Sequence, residues 1–253
     1  MELFFKNSGR VAVIVLNDND GNIFSETFIV DLTELFKMAD SSNAKIIEIS
    51  SSNRVYFSKG PDLFALDKKN MELTEAVDLL RRLAVKLNNF ILQLVSSDKL
   101  VVTLFNGVVF GGGLNIFLGS DLRLSTRKTK IFENFSQFGL TLDLSSSYFF
   151  QKFMSLTEIQ KILFKNEYID AKKAVEVGIF HECYETYNEL KKQLNIIEHW
   201  SDKKINTVVH SNKLMVNTKL LQEQLNLETN RLIESFEAGG NDFESNKKDT
   251  ETT

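Results

Sequence analysis

Three consecutive glycines, Gly111 to Gly113, restrict what this chain can fold into more than any other feature of the sequence. Residues 100–105 before them read LVVTLF, which is typical of a buried strand, and from about Leu114 the spacing predicts a helix. Glycines leave backbone amides unshielded, and the N-terminus of a helix is positively polarised. The turn therefore predicts a place where an anion or a developing oxyanion meets the main chain, with a tight turn that binds nothing as the alternative. A P-loop is not indicated, because no Lys-Ser/Thr pair follows the glycines.

Strand-like and helix-like patterns alternate through the first half of the chain. Apolar runs predict strands at residues 11–16, 45–49, 55–57 and 100–105, and alternation of apolar and polar residues predicts another at 122–126. Helical spacing predicts a helix capped by Ser25 and a long amphipathic helix over residues 73–95. Such alternation predicts an α/β fold with a mostly parallel sheet that is covered by helices.

The last third of the chain is predicted to be helical, with helices over residues 155–164, 171–177 and 214–236. We divide the chain into a core domain at 1–200, a C-terminal helical region at 201–237 and a tail at 238–253. The tail is polar and has almost nothing to bury, so we expect it to be disordered.

Composition excludes several classes of function. The formal net charge is −4, which does not favour nucleic acid as a partner. Cys183 is the only cysteine, and the spacing of the three histidines fits no metal motif, so we expect no disulfide framework and no metal. The N-terminal residues do not resemble a signal peptide, and no apolar run is long enough to span a bilayer. We therefore expect a soluble cytoplasmic protein without a membrane partner.

Four segments together carry a resemblance to a known family. Residues 57–63 read FSKGPDL, residues 106–114 contain the glycine triplet and are followed by 120–123 (SDLR), residues 138–140 read FGL, and residues 168–171 read YIDA. In order and spacing these segments resemble the motifs of the crotonase (enoyl-CoA hydratase/isomerase) superfamily, over nearly the whole folded chain.

The resemblance implies a spiral of ββα units with C-terminal helices that pack in a homotrimer, or in a hexamer built from two trimers. It implies an acyl thioester of CoA or of an acyl carrier protein as the ligand, with CoA or phosphopantetheine as part of the substrate rather than as a cofactor. In the family, two backbone amides bind the thioester oxygen, and they match Gly112 and Pro61 here. Lys59, Asp62 and Leu63 match positions that bind the adenine end of CoA.

The sequence departs from the family pattern at three of these positions. Proline has no N–H, so Pro61 cannot donate to an oxyanion. Family hydratases use two glutamates, and the matching positions hold Asn115 and Phe135, neither of which transfers a proton near neutral pH. We therefore expect an atypical member without both catalytic glutamates, in which Pro61, Asn115 and Phe135 shape the substrate pocket. Glu133 lies two positions from Phe135, and in an extended segment it would point the other way.

Asp143 is the best remaining candidate for proton transfer. It lies between apolar neighbours, which would raise the pKa of its carboxyl, and it matches a position that is catalytic in some members of the family. The alternative is that Asp143 caps a helix that begins near residue 144.

We expect catalysis by Asp143 together with the Gly112 amide. The reaction remains open between isomerisation, dehydration, decarboxylation and substitution. The stretch from Asn134 to Thr141 resembles crotonase-fold decarboxylases that act on carrier-protein thioesters. A protein of this fold that binds thioesters or partner proteins without turnover is the alternative from another class.

Overall fold

The computed structural model of the chain describes residues 1–66 and 71–238. In chain order the strands of this part are β1 (Glu2–Lys6), β2 (Val11–Leu16), β3 (Ile23–Phe24), β4 (Ile46–Ser51), β5 (Tyr56–Ser58), β6 (Gly60–Pro61), β7 (Leu100–Phe105), β8 (Val108–Phe110), β9 (Leu122–Thr126), β10 (Lys130–Phe132), β11 (Ile169–Asp170) and β12 (Glu182–Tyr184). The α-helices are α1 (Glu26–Asp40), α2 (Leu73–Ser96), α3 (Gly111–Asn115), α4 (Ser146–Phe153), α5 (Leu156–Lys165), α6 (Ala171–Glu176), α7 (Tyr187–Glu198), α8 (Asp202–Met215) and α9 (Thr218–Glu237). Short 3-10 turns cover Phe64–Leu66 and Phe135–Phe138.

A six-stranded sheet forms the main layer, in the order β1-β2-β4-β7-β9-β12. All neighbouring pairs are parallel except β1 with β2. The prediction of a mostly parallel sheet is therefore confirmed. Strands buried on both faces read as unbroken apolar runs, which explains why β2 and β7 were recognisable from sequence.

A second, four-stranded sheet in the order β11-β10-β8-β5 receives the strands that follow β4, β7 and β9, while β3, which follows β2, pairs with β6. The chain thus repeats a unit of two strands and a helix, as in β4-β5-α2 and β7-β8-α3. The predicted succession of ββα units is confirmed. Because β8 pairs with both β5 and β10, the ends of successive units are brought side by side.

Helices cover both faces of the main sheet. Ala12 and Ile14 of β2 face the larger apolar core, which α1 and α2 cover. Val11 and Val13 face the opposite side and pack with Leu190 of α7 and its neighbours on α8. Among the described helices, none combines the length and apolar character that a membrane span requires.

Three sequence predictions need correction. The helix predicted over residues 214–236 is confirmed as α9 but begins later, at Thr218, because α8 ends at Met215 and the Asn217 side chain accepts from Leu220 N–H (3.0 Å). The helix at the glycine triplet begins at Gly111 rather than Leu114 and is only five residues long. Strand β1 and helix α7 were not predicted.

The C-terminal helices pack within their own chain. Helix α8 contributes Ile205 and Val209 to the core beneath the main sheet, and α9 packs against α2. Their role in oligomerisation and the division at residue 200 stay predictions. The predicted disordered tail at 238–253 lies, apart from Ala238, outside the described residues.

Candidate active site

A cavity of about 60 Å³ lies where the glycine triplet meets the segment 134–143 and the facing helices α2 and α9. Pockets that enclose whole small molecules are about 300–1,000 Å³, so this cavity has room only for the few atoms around a reacting centre. Six of the eight predicted site residues line it, and they are Lys59, Pro61, Leu63, Gly112, Phe135 and Asp143. Asn115 and Asp62 do not line the cavity.

The glycine bend is open to this cavity through Gly111 and Gly112. The three glycines form the first turn of α3, whose N–H groups have no acceptor within the helix. Gly60 has φ +72°, and a Cβ added there would lie 3.2 Å from the Gly113 nitrogen and 3.6 Å from the Gly112 nitrogen. Glycine at position 60 therefore lets strand β6 approach the amides closely. Because α3 is so short, local N–H groups rather than a long helix dipole supply the polarity.

Pro61 packs directly against the triplet. A Cβ added to Gly112 would lie 2.8 Å from Pro61 Cδ, so this methylene faces Gly112. In proline, Cδ replaces the amide hydrogen. At this point of the wall, the structure therefore has a carbon atom where any other residue would present an N–H group.

Asp143 is 7% exposed, and its Oδ1 is buried without a hydrogen-bond partner. Burial raises the pKa of its carboxyl well above the ordinary value, and the charge of Glu228 raises the pKa further. Its main-chain oxygen accepts bonds from the Ser146 backbone N–H (3.1 Å), from Ser146 Oγ (2.8 Å) and from Asn115 Nδ2 (3.3 Å). The backbone is therefore fixed, while the carboxyl oxygen Oδ1 has no hydrogen-bond partner.

The alternative role of Asp143 as a helix cap does not hold. Helix α4 begins after Ser145, and the carboxylate of Glu228 on α9 accepts from Ser145 N–H (2.7 Å), Ser147 N–H (2.8 Å) and Ser147 Oγ (2.5 Å). Burial raises the pKa of Glu228, and these hydrogen bonds oppose that shift. Since Glu228 satisfies the start of α4, the Asp143 side chain has no structural bond to keep.

A second carboxyl, Glu133, is buried behind Asp143. It is 2% exposed, and neither of its oxygens accepts a hydrogen bond. Burial and the Asp143 charge raise its pKa well above the ordinary value, and the nearby Asn115 amide opposes this shift. Asn115 thus lies near the Glu133 carboxyl and the Asp143 main chain, and it does not line the cavity. Glu133 does not line the cavity, and its place beside Asp143 was not predicted.

Asn134 also lines the cavity and was missed by the sequence analysis. It is 8% exposed, and within residues 1–66 and 71–238 its side-chain amide has no hydrogen-bond partner. The ring of Phe135 lies over Gly111, since a Cβ added to that glycine would be 3.1 Å from Phe135 Cε2. The wall is completed by apolar side chains from α2 and α9, including Leu80 and Leu232.

The three residues predicted to contact CoA occupy one rim. The Lys59 side chain is exposed, and its Nζ lies 4.7 Å from the centre of the Tyr56 ring. Asp62 Oδ1 accepts from Ala65 N–H (3.2 Å), and Leu63 N–H bonds the Pro61 oxygen (3.0 Å). The rim is thus held by local bonds that leave the Lys59 ammonium accessible.

Comparison with known proteins identifies the family. The sequence profile of the enoyl-CoA hydratase/isomerase family matches residues 6–244, and the chain belongs to that family. It is 25% identical over 190 residues to the trans-2-decenoyl-(acyl-carrier-protein) isomerase of Streptococcus mutans, which covers 73% of this chain and 70% of that protein. It is 24% identical over 200 residues to the probable peroxisomal enoyl-CoA hydratase 1 of Arabidopsis thaliana, covering 76% and 70%. The crystal structure of enoyl-CoA hydratase from Bacillus halodurans superposes with a TM-score of 0.81 at 24% identity, covering 95% and 96% of the two chains.

Proposed function

We propose that the protein isomerises the double bond of an enoyl thioester, with Asp143 as the group that moves the proton. The observation that carries this proposal is that Asp143, whose buried carboxyl has an unpartnered oxygen, lines the same small cavity as Gly112. A raised pKa suits a carboxyl that must both accept and return a proton near neutral pH.

The proposed reaction needs no second reactant. Ionised Asp143 removes a proton from C4 of a 2-enoyl thioester, and the electron pair moves through the conjugated system to the thioester oxygen. Hydrogen bonding by Gly112 N–H stabilises that dienolate. Protonated Asp143 then returns the proton to C2, which leaves a 3-enoyl thioester and regenerates the carboxylate.

The residues that line the cavity support addition of water to the double bond less well than they support isomerisation. Asn115 and Phe135 occupy the positions that the family resemblance gives to two glutamates. Asp143 supplies the carboxyl among the described residues that line the cavity. A 1,3-proton shift needs only one acid–base group, whereas hydration needs groups that also activate water.

Support for the substrate class comes from a relative. The Streptococcus mutans protein is named as an isomerase of a trans-2-decenoyl chain on acyl carrier protein. We propose that this chain takes an enoyl thioester of CoA or of a carrier protein, with Lys59, Asp62 and Leu63 at the entrance. The exposed ammonium of Lys59 is suited to a phosphate of either carrier.

We also propose assembly into a homotrimer or a hexamer. Leu214 is 90% exposed and Met215 65% exposed at the junction of α8 and α9, and a patch of this kind favours burial against another copy. Light scattering measures the mass in solution, and a monomer at micromolar concentration would contradict the assembly.

The test of function uses trans-2-enoyl and 3-enoyl thioesters of CoA and of pantetheine in deuterated water. Double-bond migration is followed by NMR, which also detects deuterium at C2 and C4. Asp143→Asn is expected to lower kcat by at least about 10². Asp170→Asn is the matched control, because Asp170 caps α6 away from the cavity and asparagine is an equally good cap.

Three outcomes would count against the proposal. Migration that survives Asp143→Asn would remove Asp143 from the mechanism. Release of carbon dioxide from a β-carboxyacyl thioester without any migration would assign decarboxylation instead. Binding of thioesters without turnover of any of them would assign the non-catalytic function.

A further inference from the structure

The cavity has fewer main-chain donors than a thioester oxyanion can use. An oxyanion accepts more than one hydrogen bond, and each preorganised donor is worth about 10²–10³ in rate. Gly112 offers an N–H, but the methylene Cδ of Pro61 faces Gly112 where an adjacent N–H would otherwise be. A side chain on the cavity wall can supply the donor that is missing at Pro61.

Asn134 has the properties of such a donor. The residue is 8% exposed, and its side-chain amide has no partner among the described residues. Its amide atoms are not among the buried polar atoms without a partner, so a ligand can reach the amide and accept a hydrogen bond without breaking one inside the protein. Asn134 keeps its position because its main-chain oxygen accepts from Gln137 N–H (3.2 Å) at the start of the 3-10 turn.

Asn134 and Gly112 line the same small cavity. Both line a cavity of about 60 Å³, which holds only a few atoms. The other polar side chains on this wall are Asp143, an acid, and Lys59, whose ammonium lies 4.7 Å from the centre of the Tyr56 ring. A carbonyl bound at Gly112 therefore shares this cavity with the Asn134 side chain.

We propose that the Asn134 side-chain amide is the second oxyanion donor of this site and replaces the main-chain N–H that Pro61 lacks. This rests on the proposed binding of a thioester carbonyl at Gly112. It assigns Asn134 a catalytic role, since its Nδ2 touches the oxygen on which charge develops.

The test measures polarisation of a bound carbonyl, which needs no turnover. Crotonyl-CoA and crotonyl-pantetheine labelled with ¹³C at the carbonyl are bound, and the carbonyl stretch is recorded by difference infrared spectroscopy. Each donor lowers the stretching frequency, so Asn134→Ala is expected to reverse much of the shift seen in the wild type. Gln137→Ala is the matched control, because it removes an amide from the same turn that does not line the cavity.

Pro61→Ala supplies the decisive comparison, because it restores an N–H where Cδ now lies. In the Asn134→Ala background it is expected to restore the frequency shift and to recover kcat by at least about tenfold, out of about 10²–10³ lost. In the wild-type background its effect is expected to be small, since the oxyanion already has two donors. Asn134→Leu, which keeps the volume without the amide, repeats the test if alanine disturbs the turn.

The outcomes separate this proposal from the proposed function. A carbonyl shift that Asn134→Ala and Asn134→Leu leave intact would overturn the role of Asn134, whatever the turnover. A shift that depends on Asn134, without any double-bond migration, would support Asn134 and overturn the isomerase function. A carbonyl at its solution frequency in the wild type, or no binding, would overturn both.

Discussion

Replacing Glu133 by glutamine is expected to stabilise the fold, by an amount that grows with pH. Glu133 is 2% exposed, neither oxygen accepts a hydrogen bond, and its pKa is raised well above the ordinary value by burial and by the Asp143 charge. The unfolded chain releases this proton near the ordinary glutamate pKa of about 4.3, whereas the folded chain retains it to higher pH. Between these two pKa values the native state binds more protons than the unfolded chain. The free energy of unfolding of the wild type therefore falls as pH rises through this window.

The magnitude follows from the linkage. One proton of difference costs about 1.4 kcal/mol per pH unit, from the unfolded pKa of Glu133 up to its raised folded pKa. Glutamine cannot ionise, so this cost is absent in the variant. A chain of this size shifts its melting temperature by about 2–4 °C per kcal/mol. The melting temperature of Glu133→Gln should therefore gain about 3–6 °C on the wild type for each pH unit within the window.

The assay is thermal unfolding at half-unit steps from pH 4 to pH 8, in buffers of equal ionic strength. Glu223→Gln on α9 is the control, because that glutamate is exposed and its substitution should leave the difference constant with pH. A Glu133→Gln difference that is flat with pH, or that becomes destabilising as pH rises, would refute the argument that a neutral acid is buried here.

Three further predictions concern the cavity. Gly60→Ala should destabilise the fold by about 1–2 kcal/mol in urea unfolding and lower kcat, because φ is +72° and the new Cβ would crowd the Gly113 nitrogen at 3.2 Å. Unchanged unfolding and turnover would contradict the close approach of residue 60 to this amide. Phe135→Ala should raise the ratio of kcat/KM for a ten-carbon enoyl thioester to that for a four-carbon one by about tenfold, since the Phe135 ring fills the space beside Gly111. An unaltered ratio would show that the acyl chain of the substrate does not pass Phe135. Glu228→Gln should move the acid limb of the pH–kcat/KM profile to lower pH, because the charge of Glu228 raises the pKa of Asp143. A limb that stays in place or moves to higher pH would exclude that coupling.

Much of the fold was readable because buried parallel strands and glycine turns leave strong local patterns. Strand β2 is an unbroken apolar run and β7 is apolar except at Thr103, and both have the bounds that the sequence predicted. Strand β1 is only partly buried, which gave its residues no pattern to recognise. The break between α8 and α9 was missed because apolar residues continue across it, while the Asn217 cap decides the boundary.

The site was only half predictable, because its polar members come together through tertiary packing. Gly112 and Asp143 were found through motifs. Glu133 and Asn134 follow directly after the buried end of β10, and two polar residues at such a point were a signal that was not used. Glu228 shares the helical face of Leu225 and Leu232, so an acid on the buried stripe of α9 was a second unused signal.

Helix α9 provides Leu232 to the cavity wall and Glu228 to the start of α4, although it lies more than seventy positions beyond Asp143 in the chain. The ribosome therefore releases the glycine bend and the acid long before the helix that encloses them. A nascent chain halted before residue 218 would carry the reacting groups without their enclosure. Acquisition of substrate binding should thus be a late event in biosynthesis, coinciding with the docking of this helix.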